Sequence, residues 1–168
     1  AARLPGHLAA LVLISAVIGA ARRIFRARSA ALWSGVLLAL SPLSIVFSPT
    51  AFTDALMLMA GGLALRAAAG GAAGWAGFWL GAACAAKPQG VFFIPFALIV
   101  LGMRGGLSWA GLVRMGAVGG LWAGALIAWD AARGAPTPFY ALGAANNPLS
   151  PFAPPQAIVE RAGRWLIY

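Results

Sequence analysis

From its first residues the chain is a succession of apolar runs broken by short groups of Gly, Pro and Arg. Six runs predict membrane helices: about Leu8 to Ala21, Ala30 to Phe47, Phe52 to Ala67, Gly74 to Ala86, Val91 to Met103 and Met115 to Trp129. Several are shorter than the roughly 20 residues of a perpendicular span, so they are expected to extend into their flanks or to sit where the bilayer is thin. Past Gly134 the pattern changes. Pro136, Pro138, Pro148, Pro151, Pro154 and Pro155, with Asn146-Asn147, predict an irregular external loop. Arg164, Trp165 and Tyr168 are residue types that anchor at headgroup level, so the last residues predict the start of an interfacial or membrane helix. The expected organisation is all-α: a polytopic transmembrane helical bundle over residues 1–133, then the loop and helix start over residues 134–168. A chain that begins without Met and stops as another apolar segment opens is expected to be a piece of a longer protein.

Composition agrees with the pattern. Hydrophobic residues make up 62% and charged residues 9% of the chain, with a mean hydropathy of +0.88. A soluble fold of this size needs more charge to cover its outside, whereas lipid accepts an apolar exterior. The net charge of +9 would suggest nucleic acid in a soluble domain, but Arg22, Arg23, Arg26 and Arg28 crowd one short loop between two apolar runs, with Phe25 the one aromatic among them, so no nucleic-acid partner is expected. Arg22 to Arg28, the Arg66 turn and Arg104 to Arg114 fall on one side of the alternating helices, which the positive-inside rule makes cytoplasmic. The Ser48 to Asp54 turn, Lys87-Pro88-Gln89 and the tail from Asp130 then share the external face.

That face holds the candidate chemistry. Asp54 ends a stretch without ionisable residues from Ser29 to Thr53, at the start of the next apolar run. A charge at membrane depth costs about 2.5 to 3.5 kcal/mol at mid-helix, which makes such a residue a functional candidate. It fits a carboxylate that accepts a proton from a hydroxyl or helps hold a divalent cation against a phosphate. Structurally, Thr53 or Asp54 caps the helix it opens. Lys87 closes another charge-free run just before Pro88. It fits a point charge for a lipid-linked phosphate, a lysine snorkelling to headgroups, or a partner for Asp54. Asp130 with Arg133, and Glu160 with Arg161 and Arg164, read as interfacial pairs. Cys84 reads as a small core residue, and His7 has no metal-ligand spacing. No P-loop, dinucleotide loop, Ser-His-Asp set or HExxH is present.

The run Leu40 to Met59, containing Ser48-Pro-Thr-Ala-Phe-Thr-Asp54-Ala-Leu-Met, precedes a basic turn and then Trp79 to Pro95 with Ala86-Lys87-Pro-Gln-Gly. Together they resemble the middle of the polytopic GT-C glycosyltransferases, nearest the protein-mannosyltransferase-like branch that includes bacterial aminoarabinose and mannosyl transferases. The resemblance covers roughly Ala30 to Arg104. It implies a GT-C-like hexosyltransferase that moves a sugar from a polyprenyl-phosphate donor to a protein, lipid or glycan acceptor on the extracytoplasmic face. Asp54 matches an acidic position at the mouth of the family's active site, and Lys87 a basic position near the lipid phosphate. The family's principal catalytic carboxylate belongs to a first external loop upstream of this chain, so the chain alone is expected to be inactive. A divalent cation is compatible with the Asp54 position, although no cofactor is specified. The expected setting is a bacterial inner membrane, suggested by the Ala, Gly and Arg bias, with the bilayer, donor and acceptor as partners. The alternatives are a transporter or flippase subunit with charged sites near mid-bilayer, and a structural membrane subunit with Asp54 as a cap.

Overall fold

The computed structural model describes residues 4–42, 45 and 53–134, which contain helices and turns and no strand. The chain divides into two compact units, Ala1–Ala125 and Leu126–Tyr168. Among the described residues the α-helices are α1 (Leu4–Phe25), α2 (Arg28–Ala39), α3 (Asp54–Ala69), α4 (Ala73–Ala86), α5 (Phe93–Gly102) and α6 (Trp109–Ala132), with a 3-10 helix over Pro88–Phe92 leading into α5. The all-α expectation holds for the described residues. Among the described residues two helices, α1 and α6, are long and apolar enough to cross a membrane by length and composition.

The helices follow the expected runs but reach further at basic ends. Arg22 and Arg23 lie in the last turn of α1 and Arg66 in the last turn of α3, where cations complement the negative end of the helix dipole. The expected Arg22 to Arg28 loop therefore shrinks to Arg26 and Ala27, with Arg26 in the left-handed region at φ 56°. Helix α6 begins at Trp109 rather than Met115 and takes in Arg114. Its start is set by Ser108, whose Oγ accepts the Gly111 amide at 3.1 Å, an N-cap bond that satisfies an otherwise orphaned donor. The continuation of the second predicted run toward Phe47, the Ser48 to Phe52 turn and the tail after Gly134 lie outside the described residues.

The first unit packs through small residues. Helix α3 lies between α1 and α4, with α2 against α1 and α5 against α3. The buried positions of α3 include Ala60, Gly61, Gly62, Ala64 and Ala68. The core joins Ala64, Ala68, Ala76 and Ala97 to Leu80, Leu101 and Met115. Large side chains such as Trp33, Leu37, Phe96 and Leu121 are exposed instead. Small residues inside and large apolar residues outside invert the arrangement of a water-soluble bundle. Helix α6 meets α4 where glycines let the backbones close. A β-carbon on Gly77 would collide with the Met115 carbonyl, and one on Gly81 with the Gly119 carbonyl. The Phe78 and Trp122 rings pack beside this contact, 5.4 Å between centroids.

In the second unit the described residues form the end of α6 and its turn. Asp130 accepts from Arg133 Nε at 2.8 Å and pairs with Nη2 at 2.7 Å, so these two residues do pair, as their spacing suggested. The guanidinium also sits 5.1 Å from the Trp129 ring centroid, within cation–π range.

Candidate functional site

Asp54 is the first residue of α3, and Thr53 before it makes no side-chain capping bond. The carboxylate instead accepts from Lys87: Nζ to Oδ1 is 2.5 Å. The two side chains are 31% and 33% exposed, so the pair is reachable from outside while partly shielded. Thr53 as a side-chain cap is thus not what the structure contains. Asp54 still occupies the first turn, where its charge complements the helix dipole.

Lys87 reaches this position because of Pro88. The residue before a proline is pushed away from the α region by the pyrrolidine ring, and Lys87 is extended at φ −159° and ψ 135°. Its amide closes the last turn of α4 on the Ala83 carbonyl at 3.0 Å. The chain then leaves the helix axis at Lys87. Its carbonyl accepts from the Gly90 amide at 2.8 Å, which folds Pro88–Phe92 into the 3-10 helix.

Gly90 holds this corner against α4. It is buried, and a β-carbon there would fall 2.6 Å from the Ala83 oxygen and the Cys84 nitrogen, both backbone atoms. Only a glycine permits so close an approach. On the facing helix Gly61 plays a similar part for Phe93, whose ring lies 2.6 Å from where a Gly61 β-carbon would be. Gly61 lies two helical turns beyond Asp54, on the same face of α3. That face therefore presents Asp54 to Lys87 at one level and receives Phe93 at another. The sequence reading singled out neither glycine. The signal was available for Gly90, which follows Pro88 by two residues in a turn dense with breakers.

Chemically the pair has capacity left. An ammonium carries three donors and a carboxylate two acceptor oxygens, and their mutual bond uses one donor and one oxygen. The remaining donors of Lys87 suit anionic oxygens, and Oδ2 of Asp54 suits a hydroxyl. A divalent cation fits less well. Among the described residues no three His, Cys, Asp or Glu side chains converge, and the ammonium already occupies Oδ1. These residues alone do not make a metal site.

His7 is exposed on α1, and Cys84 is half-buried in α4. Glu160, Arg161 and Arg164 lie outside the described residues. Neither a family model nor a curated protein nor a solved structure matches the chain.

Proposed function

We propose that the chain is part of a polytopic GT-C-type glycosyltransferase embedded in a membrane, with α1 to α6 as its six membrane segments. In this reading Asp54 serves the acceptor side and Lys87 the lipid-phosphate side of sugar transfer from a polyprenyl-phosphate donor on the extracytoplasmic face. The observation that carries the proposal is the Asp54–Lys87 contact. It joins opposite charges from two helices whose intervening runs are apolar, in a unit whose exterior is otherwise rich in large hydrophobic side chains. Membrane embedding is supported by that exterior and by the length of α1 and α6.

The chemistry asks for little more than such a pair and a carboxylate elsewhere. As the acceptor oxygen bonds to the anomeric carbon, the bond from that carbon to the phosphate oxygen breaks and the phosphate leaves with the electron pair. Lys87 opposes the charge developing on it. Asp54 orients the acceptor hydroxyl, whose proton passes to the first-loop carboxylate that the resemblance implies upstream of this chain. Before substrate arrives, the ion pair holds each group in position, and the donor phosphate then shares the ammonium with Asp54.

The test is transfer of labelled sugar from a polyprenyl-phosphate donor by membranes carrying the intact protein, with Asp54→Asn and Lys87→Ala variants. Loss of transfer in both, with normal amounts of folded protein, supports the roles. Normal transfer in both overturns them and leaves the pair as a clamp between α3 and α4. Movement of the lipid across the bilayer without bond cleavage would favour the transporter or flippase reading.

A further inference from the structure

We propose that the cavity between the first turns of α4 and α6 binds the phosphate of an anionic membrane lipid. The cavity measures about 630 Å³. Its wall includes the Gly71–Gly74 turn, Ser108, Ala110 and the side chain of Arg114, over an apolar floor of Phe78 and Val118. Trp75 stands in its wall and is 63% exposed; Trp109, at the start of α6, is 79% exposed. Indoles at such a level are the residues that settle at a membrane–water boundary.

The cavity lies at the opposite end of α3 from Asp54, about 24 Å away at ~1.5 Å per residue over the helix. Arg23 and Arg66 meet near this end, where Arg23 Nη1 donates to the Arg66 carbonyl at 2.9 Å. Charge balance then points outward. Asp54 is the sole acid in Ala1–Ala125, and Lys87 engages it. No carboxylate of this unit is left for Arg114, whose methylenes pass 3.3 Å from the β-carbon position of Gly74. An arginine lining an apolar-floored cavity, with no carboxylate of its own unit to pair with, matches a headgroup phosphate whose acyl chains continue along the hydrophobic wall. The Ala73 amide donates to the Gly71 carbonyl at 3.2 Å, and the cap residue Ala72 has no side-chain oxygen for the amides of Gly74 and Trp75, which adds donors on the same side. The helix start alone would make no site; the cation and the cavity carry the inference.

It rests on the membrane reading above but not on sugar transfer. The test is native mass spectrometry of the full chain in detergent, titrated with phosphatidylglycerol or phosphatidylcholine. The wild type is expected to retain phosphatidylglycerol in preference to phosphatidylcholine. Arg114→Gln should weaken phosphatidylglycerol binding about five-fold, as follows from removing one basic residue at an anionic surface, and leave phosphatidylcholine unchanged. Arg114→Lys should keep most of the affinity. Ala110→Trp, which fills the cavity without altering charge, should also weaken binding, whereas Arg22→Gln outside the cavity should not reproduce the Arg114→Gln effect. Full affinity in Arg114→Gln, or no preference between the lipids, overturns the proposal. Displacement by millimolar inorganic phosphate overturns the lipid as source in favour of a soluble anion. Failure of the membrane reading looks different: the protein would stay dispersed without detergent and retain neither lipid.

Discussion

Lys87 Nζ donates to Asp54 Oδ1 across 33 residues of sequence, joining the end of α4 to the start of α3. The helices are antiparallel neighbours joined by the short Gly70–Ala72 turn, so their far ends meet without any long connection. The pair is thus a salt bridge that ties together the far ends of two helices.

This structural role and the proposed chemical one separate by charge reversal. Partly exposed ion pairs contribute about 0.2 to 1 kcal/mol in water, so Lys87→Met or Asp54→Asn alone should lower the thermal midpoint in detergent only slightly. The double variant Asp54→Lys with Lys87→Asp should recover that loss by restoring opposite charges. On the proposed function, sugar transfer by the intact protein should remain depressed about 100-fold or more, the scale of losing a preorganised charge that stabilises the transition state. Recovery of both stability and transfer would rule out distinct chemical roles.

Gly90 is expected to govern where Lys87 points. Gly90→Ala places a methyl against the Ala83 and Cys84 backbone, where no flexible side chain can give way. Overpacking of this kind costs about 1 to 3 kcal/mol. The variant should therefore unfold earlier and, on the proposed function, lose transfer together with stability. A thermal midpoint equal to wild type would mean that the corner at Lys87 can relax.

Much of the architecture was legible because apolar runs punctuated by Gly, Pro and Arg are strong signals. The Gly74 to Ala86 run matches α4 to within a residue of its observed start, since Lys87-Pro88 stops it chemically. The ends of α1 and α3 were harder, because an arginine reads equally as loop or as last helical turn and only the dipole decides. The candidate pair was legible as two isolated charges on one side. Their pairing was one of three readings left open for Lys87, because choosing it depends on the small-residue packing of α3 against α4, which a pattern of hydrophobic positions does not resolve.

The glycine spacings make the same point and yield a sharper test. Gly77/Gly81, Gly116/Gly120 and Gly120/Gly124 look alike in sequence. In the structure Gly77 and Gly81 are pressed against the backbone of α6, whereas Gly116, Gly120 and Gly124 have nothing within 4 Å of a β-carbon. Gly77→Ala and Gly81→Ala should destabilise by about 1 to 3 kcal/mol through overpacking. Gly116→Ala and Gly120→Ala should be neutral or stabilising by up to ~1 kcal/mol, the helix propensity gained over glycine. Thermal unfolding of the four variants in one detergent checks the order, and equal effects would remove the α4–α6 contact from the account.

Orientation can be measured independently of any activity. The Arg26–Ala27 junction, the Gly70–Ala72 turn and the Met103–Ser108 connection alternate with the Asp54 and Lys87 ends along the helices. If the basic ends are cytoplasmic, a cysteine introduced at Gly71 or Ser108 in a Cys84→Ala background reacts with an impermeant maleimide only after the cell membrane is opened. A cysteine at Gln89, exposed beside Lys87, reacts in intact cells. Reversed labelling would place Asp54 and Lys87 on the cytoplasmic face, where a polyprenyl-phosphate donor presented from outside cannot reach them, and the proposed transfer would fail with the topology.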